Sequence, residues 1–140
     1  MSDRSRTPPG QTLTEKFPVL HVGEIPRFDP AEWDLRVFGL VESSVTWTWD
    51  EFLNLDQSDS QSDFHCVTHW SRLDNVWTGV LFGEISKLVE PASDAGFVVF
   101  GDLGMYTTSL PIDACLDDDA ILAHSHDGEP LSPEHGAPLR

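Results

Sequence analysis

Lysine is nearly missing from this sequence. Lys16 and Lys87 are the only two, beside six arginines, while Asp and Glu number 24 and the formal net charge is -16. A field of that sign repels a polyanion, which argues against DNA or RNA as partner. Fifteen of the acids are the short Asp. That bias is expected of an acidic, halophilic protein, whose self-repulsion is screened over about 3 Å in molar salt. Cysteine is equally sparse. Cys66 and Cys115 stand alone with no CxxC, so neither a disulfide framework nor a zinc or dithiol motif is present, and both thiols are expected reduced. Apolar runs fall far short of the roughly 20 residues that cross a bilayer, so no transmembrane segment is expected. The Pro-rich start has no apolar stretch behind Arg4 and Arg6, and the expected location is therefore the cytoplasm.

Aromatic residues are plentiful by contrast, with five Trp and eight Phe in 140 residues. That is enough to build one domain with an ordinary core. Residues 1–16 read as a mobile N-terminal arm and 17–140 as the domain. Residues 34–41 read as a strand, and Val45, Trp47 and Trp49 alternate in the same way. Thr48 and Glu51 have capping-box spacing for a helix over 49–55. Residues 57–63 read as a polar loop and 64–68 as a strand. Phe82, Ile85, Leu88 and Val89 predict a helix within 80–90 that stops before Pro91. Strands are expected at 97–100, 106–110 and 120–124, a brief helix at 111–116, and a hairpin turn at Asp127-Gly128. Residues 133–140 approach another strand. Strands and short helices mix without a βαβ rhythm, so the expected class is α+β.

Most chemistry lies in FHCVTHWSRLDNVWTGV, residues 64–80. One cysteine sits in a strand, followed by a polar loop with Thr68, His69, Ser71, Asp74 and Asn75 between Trp70 and Trp77. The residues alone leave several readings open. Cys66 could be a nucleophile activated by His65 or His69, a redox-sensing thiol, one soft ligand to a metal, or a buried small hydrophobe. His124 and His126 suggest zinc, but with no second ligand pair nearby an edge strand explains them better.

FHCVTHWS followed by DNVWTGV resembles the molybdopterin-binding domain of the sulfite oxidase superfamily. It is most similar to the small sulfite-oxidase-like proteins related to the catalytic subunit of bacterial methionine-sulfoxide reductase. PPGQTLTEKFPVLHVG, WDLRVFGLVE with its following WTWDEF, YTTSLPID and DGEPLSPEHGAPLR occur in family order, so the resemblance spans residues 7–140.

The resemblance implies a mixed α+β domain that binds a molybdenum-molybdopterin cofactor, with Cys66 as the protein ligand to the metal. It implies cofactor contacts from His21, His65, Asp102, His135 and Arg140, the last closing GAPLR at the pterin phosphate. His69 departs from the small residue usual in close relatives and is a candidate proton donor. The implied reaction is two-electron oxygen-atom transfer on a small sulfoxide, N-oxide or oxo-anion. With no CxxCH present, a separate haem or other redox protein is the expected partner, and the chain is expected to be a monomer. Relatives continue past GAPLR, so the domain is expected to be incomplete at its C-terminus, and these residues alone are expected to hold the cofactor more weakly than a longer chain. The alternatives are a cofactor-free acidic binding module on the same scaffold and a hydrolase with Cys66 as nucleophile.

Overall fold

Residue 79 explains how the main sheet is put together. The computed structural model describes residues 3–20, 23–102 and 104–140. In it the longest strand, β5 (Trp70–Leu81), has partners on both sides. β4 (Ser58–His65) pairs antiparallel along nearly its whole length, and β8 (Ile121–His126) pairs antiparallel with its second half. Gly79 stands opposite Ala123, where a Cβ would lie 1.9 Å from the Leu122 carbonyl oxygen, so only glycine permits this approach. β1 (Thr12–Leu13) runs parallel to the start of β5, and β9 (Glu129–Pro130) closes a hairpin on β8.

Side chains three apart on a strand point to opposite faces. Trp77 and Val80 of β5 accordingly belong to separate cores. On one face Val80 packs with Trp47 of β3 (Val45–Thr48), Phe52 of α2 (Trp49–Leu53), and Ile85 and Val89 of α3 (Phe82–Val89). β2 (Asp34–Val37) pairs with β3 and adds Leu35 and Val37. On the other face Trp77 packs with Ala123 and Leu131, with Phe17 and Phe64 against them. A smaller hairpin of β6 (Phe97–Gly101) and β7 (Thr107–Pro111) leads into α4 (Ile112–Cys115).

The α+β expectation holds, as do the Thr48/Glu51 capping box, with both of its hydrogen bonds formed, and the helix before Pro91. The Asp127-Gly128 turn also forms, with both residues in the left-handed region at φ 50° and 83°, the combination a two-residue hairpin requires. Elsewhere the structure differs from the sequence reading or adds to it. Residues 58–63 are strand rather than loop, and Ser71 to Asn75 belong to β5 rather than to a loop after Cys66. Their polar side chains hide a pairing stabilised by the backbone ladder. Within residues 1–16, read as a mobile arm, several described residues bond to the sheet. The short helix α1 (Asp3–Arg6) is tied by Arg6 to Asp63 and Asp74, and β1 joins β5. Finally, β8 lies between β5 and β9 and is not an edge. His124 is an extra residue on it, because Thr78 pairs with Ser125 while Gly79 pairs with Ala123. That bulge separates the two histidines: His124 contacts Trp49 and His126 contacts Trp77.

Candidate active site

β4 turns into β5 over four residues. The His69 N–H donates to the Cys66 carbonyl at 3.1 Å and the Cys66 N–H donates to the Trp70 carbonyl at 2.9 Å. This is a tight turn followed by one left-handed residue, and His69 is that residue, at φ 71°. Cys66 therefore sits just beyond the strand, half-buried, with its sulfur on the turn. The Thr68 hydroxyl donates to Sγ at 3.1 Å. That hydroxyl, with the Thr68 and Val67 amides, holds the thiol below its ordinary pKa. Cys115 has the opposite setting: it is buried in α4, and burial pushes its pKa up.

The residues flanking the turn connect it to the C-terminal segment. Phe64 and Trp70 stack at 5.3 Å, and Phe17 sets its ring edge against Trp70, Trp77, His126 and His135. Arg140 lies among these rings, its Cζ 5.4 Å from Phe17, 5.8 Å from Phe64 and 5.3 Å from Trp77. The backbone fixes it there: the Arg140 N–H donates to the Ala123 carbonyl at 2.8 Å, and the Ala123 N–H donates back at 2.6 Å. One guanidinium N–H donates to the His135 carbonyl at 3.1 Å. Desolvation by its surroundings lowers the Arg140 pKa, and the group remains a cation.

Phe17, Trp77, His126, Glu129, His135 and Arg140 line a cavity of about 190 Å³. His126 is braced from behind. Its Nε2 lies 2.9 Å from Oδ1 of the fully buried Asn75 and 3.3 Å from an Arg72 guanidinium nitrogen, and Asn75 Nδ2 donates to the Ser62 and Arg72 carbonyls. Arg72 donates to Asn75 Oδ1 and, at 2.7 Å, to Asp127. Burial is the main reason the His126 pKa falls, with Arg72, Arg140 and His135 adding to the effect and Asp127 opposing it. Three basic side chains thus meet at one cavity of a strongly acidic chain.

The structure brings Cys66, His65 and His69 to one turn, and His135 and Arg140 to the cavity, with the aromatic wall between the two groups. His65 is exposed and its Nδ1 lies 2.8 Å from Ser71 Oγ. His69 is exposed on the turn. Asp102 is elsewhere, in the β6–β7 loop, where its carboxylate accepts from the Gly104 and Tyr106 amides, both at 2.8 Å. His21 lies outside the described residues. Sequence reading gave no site role to Phe17 or Arg72, and it set His126 aside as a strand histidine. The one local signal was His126 beside the Asp127-Gly128 turn. Among the described residues no cluster of His, Cys, Asp or Glu has the geometry to hold a metal ion unaided.

The fold and site are those of a mixed α+β domain with a cysteine held on a strand-end turn beside a basic, aromatic cavity. Residues 22–140 match the model of the oxidoreductase molybdopterin binding domain, and the chain belongs to that family. It is 44% identical over 141 residues to the uncharacterized oxidoreductase YuiH of Bacillus subtilis, covering 99% of this chain and 71% of that protein. It is 33% identical to the putative protein-methionine-sulfoxide reductase subunit YedZ1 of Azospira oryzae, covering 94% of this chain and 51% of the relative. The fold matches the sulfane dehydrogenase SoxCD from Paracoccus pantotrophus with a TM-score of 0.71 at 19% identity, over 83% of this chain and 34% of that one. The chain thus spans from about a third to under three quarters of these proteins.

The donors present suit the cofactor that the family binds. Cys66 offers a soft sulfur with a lowered pKa, and Arg140 offers a cation among apolar walls. In the same wall the Trp70 indole Nε1–H is buried with no hydrogen-bond partner among the described residues, a donor still unspent.

Proposed function

We propose that this chain is the cofactor-binding part of a molybdenum-dependent oxidoreductase, with Cys66 as the protein ligand to the metal. The reaction we assign is two-electron oxygen-atom transfer on a small sulfoxide, N-oxide or oxo-anion. Reducing a sulfoxide consumes two electrons and two protons and yields a sulfide and water. The observation that carries the reading is the Cys66 turn, which presents a thiol of lowered pKa beside an aromatic wall that runs to Arg140.

When bound, molybdopterin supplies the redox chemistry, and the protein supplies orientation, access and electrostatics. Cys66 would hold the metal. Arg140 and His135 would hold the phosphate-bearing end, and the cavity of about 190 Å³ is smaller than the roughly 300–1,000 Å³ of whole-ligand pockets, as a site for one end should be. Phe64, Trp70 and Trp77 would keep water from the space between. Exposed on the turn, His69 would pass a proton in from solvent. The electrons would come from a separate haem or other redox protein. A monomer in the cytoplasm belongs to the same proposal; among the described residues no helix is long and apolar enough to cross a membrane.

A cysteine hydrolase draws less support, because the hydrogen-bond partner of the Cys66 sulfur is Thr68 and not an imidazole. The test uses protein purified from a host that makes the cofactor. Cys66→Ser should retain pterin while losing turnover and the thiolate-to-metal absorption. Normal turnover in that variant refutes the assignment, and absence of molybdenum from the parent protein favours the cofactor-free binding module.

A further inference from the structure

β1 is only two residues long, yet it and its neighbours grip the Cys66 turn at both ends. The Thr12 N–H donates to the His69 carbonyl at 2.8 Å, and the Thr14 N–H donates to the Ser71 carbonyl at 2.9 Å. Between them, the Gln11 side chain spans the turn: Nε2 donates to the Cys66 carbonyl at 3.2 Å and Oε1 accepts from the Ser71 hydroxyl at 3.1 Å. The direction of each bond is settled by chemistry. A backbone carbonyl only accepts, so the Nε2 end must face Cys66 and the Oε1 end Ser71. Ser71 is fully buried and gives its proton to Gln11, so His65 must offer Nδ1–H to the Ser71 oxygen, 2.8 Å away.

The Cys66 carbonyl therefore accepts twice, from the His69 N–H within the turn and from Gln11 outside it. Between the points gripped stands His69 in the left-handed region, a conformation that an L-residue resists. Held at Cys66 and His69 from the same neighbouring segment, the turn keeps a shape it would otherwise leave. That shape sets where the sulfur lies relative to the Thr68 hydroxyl.

We propose that Gln11 is a positioning residue for the Cys66 sulfur, its amide bridging the Cys66 carbonyl and the Ser71 hydroxyl so that the turn stays closed. The importance of this for catalysis rests on the reading of Cys66 as a metal ligand; the positioning itself does not.

The experiment compares the full chain with Gln11→Ala, which loses both bonds, and Gln11→Glu, which keeps an acceptor for Ser71 but has no donor for Cys66. Amide hydrogen exchange is followed residue by residue by NMR. The His69 and Cys66 amides should exchange about fivefold to tenfold faster in both variants, the effect of losing one ordinary hydrogen bond from a local opening. Amides of the β5–β8 ladder should be unchanged. Unaltered exchange at His69 and Cys66, or an equal rise throughout the ladder, overturns the proposal. In protein loaded with molybdenum, the thiolate-to-metal absorption should shift in both variants, and an unshifted band would also overturn it. If the parent protein takes up no molybdenum, the ligand reading fails while the exchange result still decides the role of Gln11.

Discussion

Replacing Gly79 by alanine adds a single methyl group at the closest approach in the sheet. Its Cβ would lie 1.9 Å from the Leu122 carbonyl oxygen and 2.8 Å from the Ala123 Cα. Both atoms are backbone, so no side chain can swing aside. The first contact is more than 1 Å too short, and β8 must move away from β5 by about that amount. Its pairing with Gly79 and Val80 would stretch, at about 1 kcal/mol for each hydrogen bond weakened. Packing around the fully buried Val80 and the buried Ala123 would loosen as well, for about 1–2 kcal/mol more. Gly79 lies outside the left-handed region, so alanine regains about 0.4–1 kcal/mol from the unfolded chain. The net loss should be about 2–3 kcal/mol, a fall in Tm of roughly 10 °C for a domain of this size. The same displacement shifts Ala123, whose backbone holds Arg140, so on the proposed reading cofactor retention should fall too. Urea and thermal unfolding measure the first effect and molybdenum content after dialysis the second. A stability change under about 0.5 kcal/mol would refute the reasoning, because it would mean that the two strands part freely.

Other perturbations probe the site. On the proposed reading, Arg140→Ala removes a charge-assisted bond of about 1.5–3 kcal/mol, so cofactor affinity should drop about tenfold to hundredfold. Arg140→Lys should recover only part of this, since an ammonium lacks the planar fork, and unchanged retention on dialysis in the Ala variant would make Arg140 a structural residue. Burial holds the pKa values of His124 and His126 below the ordinary 6.5. As pH falls through that value the unfolded chain takes up protons before the folded one, so stability is full above about 6.5 and declines below it. Urea unfolding in molar KCl at pH 7.5 and 5.5 tests this, with His126→Gln expected to flatten the slope; equal stability at the two pH values counts against it. His69→Gly should stabilise the chain by about 0.5–1 kcal/mol, because glycine accepts the left-handed conformation freely, and a loss of stability would mean that the imidazole has a structural role.

The sequence alone determined the features whose causes are local. Thr48 and Glu51 cap a helix through each other's backbone and need nothing distant. Asp127-Gly128 turns because both residues tolerate the left-handed region, and the apolar spacing before Pro91 is legible as a helix without knowing what its apolar face packs against. Cys66 stood out because its surroundings in sequence carry a family pattern that residues 22–140 share. What only the tertiary structure decided depends on partners far along the chain. β4 is a run of Ser, Asp and Gln with little intrinsic strand preference, and it is a strand because β5 supplies a hydrogen-bonding edge. His124 and His126 diverge only because a bulge opposite Gly79 inserts one residue into β8. The roles of Gln11 and Phe17 are invisible in their neighbourhood, since one bridges Cys66 to Ser71 and the other joins Trp70 to His135 and Arg140. Hydrogen bonds and ring contacts of this kind reach only a few ångströms, so they exist only after folding has brought the first turn of sheet and the last residues together.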